Sequence, residues 1–165
     1  MNDKMALDMV NKIFQNVFEE TNNFSLDILL EKFAFDVKLP KQVTDSTTNE
    51  VTWADSVNSG RYITLANMEA KDMVDGWMIP KKEINNLKEL IDIWNEINLM
   101  TTERVYDSIN VLKSDTIYNC ENVYRSTDCT HAKNIIYCDF LCAKFDFAQI
   151  TILPSRLSPC HPPCA

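Results

Sequence analysis

Glycine is almost missing from this chain: Gly60 and Gly76 are the only two in 165 residues. Phosphate-binding loops and dinucleotide-binding turns need several glycines to bring backbone N–H groups close to phosphate, so a Walker loop and a Rossmann fingerprint are both excluded. Histidine is equally scarce, with His131 and His161 alone, which leaves any nucleophile short of a base. No cluster of Lys and Arg occurs anywhere. Phosphate neutralisation is the main source of affinity for DNA, RNA and anionic lipid, so direct nucleic-acid binding and membrane binding are not expected. The sequence also lacks an apolar run of the roughly 18 residues that a membrane-spanning helix needs. Its start, Met1-Asn2-Asp3-Lys4-Met5-Ala6-Leu7-Asp8, puts acidic residues where a signal peptide needs a cationic region and then an apolar one. The expected location is therefore cytoplasmic.

What is present fits a globular protein: 45% hydrophobic and 24% charged residues, with a net charge of −8. Six cysteines all fall after residue 119, and without an export signal they are expected as reduced thiols. From Met5 to Glu20 the residues Met9, Val10, Ile13, Phe14, Val17 and Phe18 recur at helical spacing. Ser25 is a natural N-cap for a second helix carrying Leu26, Leu29, Leu30 and Phe33, which Pro40 closes off. Val43 and Val51-Thr52-Trp53 flank the polar run Asp45-Ser46-Thr47-Thr48-Asn49, the pattern of a hairpin, and Arg61–Leu65 predicts a further strand. Asp75-Gly76 marks a turn, and Pro80 opens a third predicted helix with an apolar stripe of Ile84, Leu87, Leu90, Ile91, Trp94 and Ile97.

The strongest signal follows. Every third residue from Val105 to Cys138 is free of charge and of long polar side chains. Within that series a mostly bulky class (Val105, Val111, Ile117, Val123, Cys129, Ile135) alternates with a small class (Ser108, Ser114, Cys120, Ser126, Ala132, Cys138). A helix cannot hold a strict three-residue stripe on one face at 3.6 residues per turn. A β-solenoid can, if two six-residue units close each turn, with bulky residues pointing inward from short strands and small ones at the bends. Asn110, Asn122 and Asn134 then stack as an amide ladder. The predicted class is α+β: an N-terminal capping domain of helices with a small hairpin or sheet over residues 1–100, a solenoid of about three turns over 101–142 capped by the third helix, and a divergent Pro/Cys tail over 143–165.

The stretch Asn122-Val123-Tyr124-Arg125-Ser126-Thr127-Asp128-Cys129-Thr130-His131-Ala132-Lys133 resembles one 12-residue coil of the beetle antifreeze proteins. That likeness implies the coil geometry; the Thr-x-Thr row that binds ice in that family is absent, because the outward positions here are Tyr106, Leu112, Tyr118, Tyr124, Thr130 and Ile136. The whole arrangement also resembles uncharacterised cysteine-rich repeat proteins of uncultured bacteria, which implies no activity.

The chain carries no catalytic or cofactor signature. Cys138, Cys142, Cys160 and Cys164, with His161, could supply thiolate and imidazole ligands for zinc, but their spacing is loose and Cys138 is also an inward repeat residue. His131 falls outside the coil and Cys129 inside, which speaks against a Cys/His dyad, and carboxylate pairs such as Glu19-Glu20 or Asp72 and Asp75 read as solvated faces. Two outward stripes remain, Tyr106 with Tyr118 and Leu112 with Tyr124 and Ile136, and one of them is expected to pack beneath the N-terminal part. The expected function is a non-enzymatic protein-interaction module that binds a protein partner or a second copy of itself. The alternative is an acidic nucleic-acid mimic, an anti-defence inhibitor of phage or mobile-element origin, motivated by the net charge.

Overall fold

A computed structural model describes residues 1–56 and 60–142; the expected tail over 143–165 lies outside them. The described residues divide into two compact units, Met1–Pro40 with Val105–Cys142, and Lys41–Arg104.

In the first unit, helices α1 (Asp3–Val17) and α2 (Leu26–Phe33) start at the side-chain caps Asn2 and Ser25, which accept hydrogen bonds from the Met5 and Ile28 amides. From Val105 the chain winds through seven short strands: β5 (Val105–Tyr106), β6 (Ile109–Leu112), β7 (Asp115–Tyr118), β8 (Glu121–Tyr124), β9 (Thr127–Thr130), β10 (Lys133–Ile136) and β11 (Asp139–Cys142). Odd strands form one parallel sheet, β5-β7-β9-β11, and even strands another, β6-β8-β10. Each pairing joins residues 12 apart, as in Val111 with Val123 and Ile117 with Cys129, so the solenoid and its 12-residue turn are present as the repeat implies.

The interior holds the two inward classes. Ile117, Val123, Cys129 and Ile135 are fully buried, with Cys120, Ala132, Cys138 and Leu141 packed beside them. The small class does more than fit the bends. The Ser108, Ser114 and Ser126 hydroxyls each donate to the carbonyl two residues earlier (Tyr106, Leu112, Tyr124). Each also accepts the amide N–H twelve residues later, from Cys120, Ser126 and Cys138 at 2.9–3.1 Å. One hydroxyl thus supplies the acceptor for an amide of the next turn, while donating to a carbonyl that already accepts a backbone N–H from that turn (Asn119 to Tyr106, Arg125 to Leu112, Tyr137 to Tyr124). The asparagine ladder forms as well, with Asn110 Nδ2 donating to Asn122 Oδ1 at 3.0 Å and Asn122 Nδ2 to Asn134 Oδ1 at 2.9 Å.

The backbone cost of this coil falls one residue before each inward side chain. Every third residue from Asp107 to Phe140 has φ between 47° and 63°, in the left-handed region, and none of them is glycine. Asn and Asp reach this region most readily because their short side chains bond locally, and Asp107, Asn110, Asn119, Asn122, Asp128 and Asn134 fill half of these positions.

Helices α1 and α2 lie against the outer face of the even sheet. Ala6, Val10, Leu29 and Ala34 pack on Tyr124, Ile136 and Tyr137, with Leu112 at the margin. The Tyr137 hydroxyl donates to the Leu26 carbonyl at 2.8 Å, and Lys113 pairs with Asp3 at 2.8 Å. Each fully covered aliphatic residue contributes about 1.5–3 kcal/mol, whereas a half-exposed ion pair such as Lys113–Asp3 contributes at most about 1 kcal/mol. Packing therefore holds the helices down, and the ion pair adds little.

The second unit contains the expected hairpin, β1 (Lys41–Thr44) with β2 (Val51–Ala54), and the expected strand β3 (Arg61–Thr64), which pairs in parallel with β4 (Leu99–Thr102). Helix α3 (Leu65–Met73) starts where the sequence reading ended a strand: the Thr64 hydroxyl accepts the Asn67 amide and turns the chain into a helix. Helix α4 (Leu87–Ile97), read from sequence as the solenoid's cap, lies in this unit. It begins at the Asn86 cap and not at Pro80, because Asn86 Oδ1 accepts the Glu89 amide while Glu89 Oε2 accepts the Asn85 amide, a reciprocal pair.

Asp45 organises the unit. It is fully buried, and its carboxylate accepts from the Thr47 amide and hydroxyl, the Thr48 amide, the Thr64 amide and Asn67 Nδ2. Burial alone would raise its pKa, but these donors outweigh burial and hold the carboxyl well below the usual carboxylate range.

Two outcomes are expected. Because the folded pKa of Asp45 is depressed, its contribution is fully present above the unfolded value near ~3.9 and is lost as pH falls through that value towards the folded one. Asp45→Ala should cost at least about 2 kcal/mol at pH 7 and flatten the acid limb of the unfolding curve, read by denaturant titration at several pH values. Thr116 is a β-branched residue at φ 59°, and its hydroxyl is buried without a hydrogen-bond partner. Thr116→Asn should raise stability by up to about 1 kcal/mol, read as a higher denaturation midpoint.

Candidate interaction surfaces

The two outward stripes end in different environments. On the even sheet Tyr124 and Ile136 are 3% and 0% exposed beneath α1 and α2, and Leu112 is half-buried with them. As surface these three are withdrawn from the expected interaction face: the chain's own helices occupy it. Burial pushes the Tyr124 hydroxyl's pKa up, and Lys113, which sits over its ring, only partly offsets this.

On the odd sheet the Tyr106 and Tyr118 rings stack at 4.9 Å between centroids and 13° between planes. Tyr118 is exposed, Tyr106 is half-buried, and the half-buried residues Thr130 and Cys142 continue the row. The neighbouring corner row, Asp107, Asn119 and His131, is exposed. This side of the solenoid is a flat strip of stacked tyrosine edged by polar groups, each held on a strand whose backbone is hydrogen-bonded to the turns beside it.

A second surface escaped the sequence reading. Helix α4 has no buried residue, and Leu87, Leu90, Ile91, Trp94 and Ile97 are 69%, 46%, 48%, 58% and 40% exposed. Periodicity shows that a helix has an apolar face; it does not show whether anything in the same chain covers that face. Arg61 fixes the helix end, its guanidinium donating to the Glu96 carbonyl at 2.9 Å.

His131 stands exposed at a corner and Cys129 is fully buried, so the two do not form a dyad. Of the four cysteines considered for zinc, Cys138 is 3% exposed inside the coil, Cys142 is half-buried on the odd sheet, and Cys160 and Cys164 lie outside the described residues. Among the described residues no group of three His, Cys, Asp or Glu is placed to hold a metal ion, and no helix is long and apolar enough to cross a membrane.

Burial raises the pKa of the Cys120 thiol, and a hydrogen bond with Cys138 together with burial raises that of Cys129. Both therefore stay protonated at neutral pH, and only the thiolate reacts. Iodoacetamide under native conditions should leave Cys120 and Cys129 unmodified while labelling Cys142, with labelling of the first two appearing on addition of denaturant. Peptide mapping by mass spectrometry reads this, and rapid native labelling of Cys129 would contradict a closed solenoid interior.

In comparisons with known proteins, no family model, no curated protein and no solved structure matches this chain.

Proposed function

We propose that the protein is a non-enzymatic interaction module that binds another protein along the open face of its solenoid. The observation that carries this reading is the stacked pair of half-buried Tyr106 and exposed Tyr118 on the odd sheet, beside an even sheet whose corresponding stripe is already covered. Tyrosine suits such a role because it offers a large apolar surface and a hydroxyl at low entropic cost, and aromatic residues are enriched at the centres of protein interfaces. Tyr118 sits on β7, paired on both sides by β5 and β9, so that strand loses little further freedom on binding and less of the contact energy is spent on ordering.

The acidic mimic reading rests on the net charge of −8. It calls for carboxylates in rows on one surface, and the solenoid does not offer them: from Val105 to Cys142 no two stand twelve residues apart, and Glu121 is followed by Lys133, with which it forms an ion pair at 2.9 Å. We prefer the interaction reading because it rests on a placed feature, the tyrosine pair, and not on net charge alone.

A photo-crosslinking residue placed at Tyr118 should give a discrete covalent adduct in the cells that encode the protein. The same probe at the exposed position Lys12 of α1 should not, and Tyr106→Lys should abolish the adduct. Equal adducts from both positions, or none from Tyr118, would remove the basis for assigning the solenoid face to a partner.

A further inference from the structure

We infer that α4 is a homodimerisation helix: its exposed stripe of Leu87, Leu90, Ile91, Trp94 and Ile97 packs against the same stripe of a second copy of this chain. The inference stands apart from the reading of the solenoid face and uses none of its residues.

The first argument is area. At about 200 Å² for a fully exposed large side chain, the fractional exposures of these five residues amount to on the order of 500–600 Å² of side-chain surface. That is about two thirds of the roughly 800 Å² that each partner gives to a standard interface. A soluble monomer seldom leaves so much contiguous apolar surface open.

The second argument is where the charges lie. At about 100° per residue, Leu87, Leu90, Ile91, Trp94 and Ile97 occupy one arc of the helix, while Lys88, Glu89, Asp92 and Glu96 occupy the other. Lys88 and Asp92 already pair with each other at 3.7 Å on that far side. Joining two stripes across a two-fold axis therefore brings no carboxylates face to face, despite a chain charge of −8. It also satisfies both stripes in one step, because a two-fold interface pairs a patch with itself.

A membrane is the competing occupant, and the polar arc disfavours it. Helices that lie on anionic lipid carry Lys and Arg on that side, whereas α4 has one lysine against three carboxylates.

Sedimentation equilibrium of the reduced full-length chain tests the inference. The expected result is a dimer whose dissociation constant rises on the order of 30-fold or more with Trp94→Ala, and which becomes monomeric with Leu90→Lys. Both positions are exposed, so far-UV circular dichroism should be unchanged. Tyr118→Lys should leave the dimer intact, which separates this result from the fate of the solenoid face. Should Leu90→Lys disturb folding, dilution of the unaltered protein gives a second readout: a red shift of tryptophan emission as the dimer dissociates, absent in Trp94→Phe. A monomer at tens of micromolar, a dimer indifferent to Leu90→Lys and Trp94→Ala, or binding to vesicles of anionic phospholipid that the same substitutions remove, would each overturn it.

Discussion

Each turn of the solenoid must leave its backbone polar groups in places where the next turn can meet them, and the rest of the first unit depends on that constraint. A coil closed in 12 residues has to bend sharply, and here it bends through a left-handed residue at every third position from Asp107 to Phe140. At the bends between strands the ladder cannot supply every partner, and an orphaned buried amide costs about 1–3 kcal/mol. The Ser108, Ser114 and Ser126 hydroxyls meet that need from inside the coil. Small inward residues are thus required twice over: little room exists at a bend, and a short side chain with an oxygen can reach both the carbonyl below and the amide above. Cys120 donates in the same way to the Tyr118 carbonyl, a weaker version of the same bond.

Much of this was legible from the sequence because the solenoid repeats it. Twelve-residue spacing, the inward classes and the asparagine ladder all follow from side chains that recur in register, and the structure contains each of them. The left-handed corners were not read, although Asn and Asp at 107, 110, 119, 122, 128 and 134 were a visible sign. Lys113, Thr116, Arg125, His131, Tyr137 and Phe140 occupy equivalent corners and blur the pattern. In the Lys41–Arg104 unit there is no repetition to average over local ambiguity. Leu65 closes an apolar run as plausibly as it opens a helix, and only the Thr64 cap decides between them. The start of α4 was written in Asn86-Leu87-Lys88-Glu89, a capping pattern overshadowed by Pro80.

Function was less legible because surfaces are defined by what covers them. Leu112, Tyr124 and Ile136 look as available in sequence as Tyr106 and Tyr118, and the difference comes entirely from α1 and α2, which lie some 80 or more residues away in the chain. The α4 stripe shows the reverse case: its periodicity is that of a helix with a buried face, yet within this chain the face is open. Hydrophobic patterning specifies that a surface must leave water without specifying what it meets.

The two proposals, a partner on the tyrosine strip and a dimer through α4, would complement each other thermodynamically. A pair of chains held through α4 would carry two copies of the tyrosine strip, so a partner with repeated sites would meet the second strip as an intramolecular event, at an effective concentration set by the spacing between them. Weak contacts then suffice at each strip, which matters for a face offering few large side chains besides Tyr106 and Tyr118. A module of this construction can have modest affinity per face and still hold a multivalent partner firmly, and its hold weakens steeply when the pair dissociates.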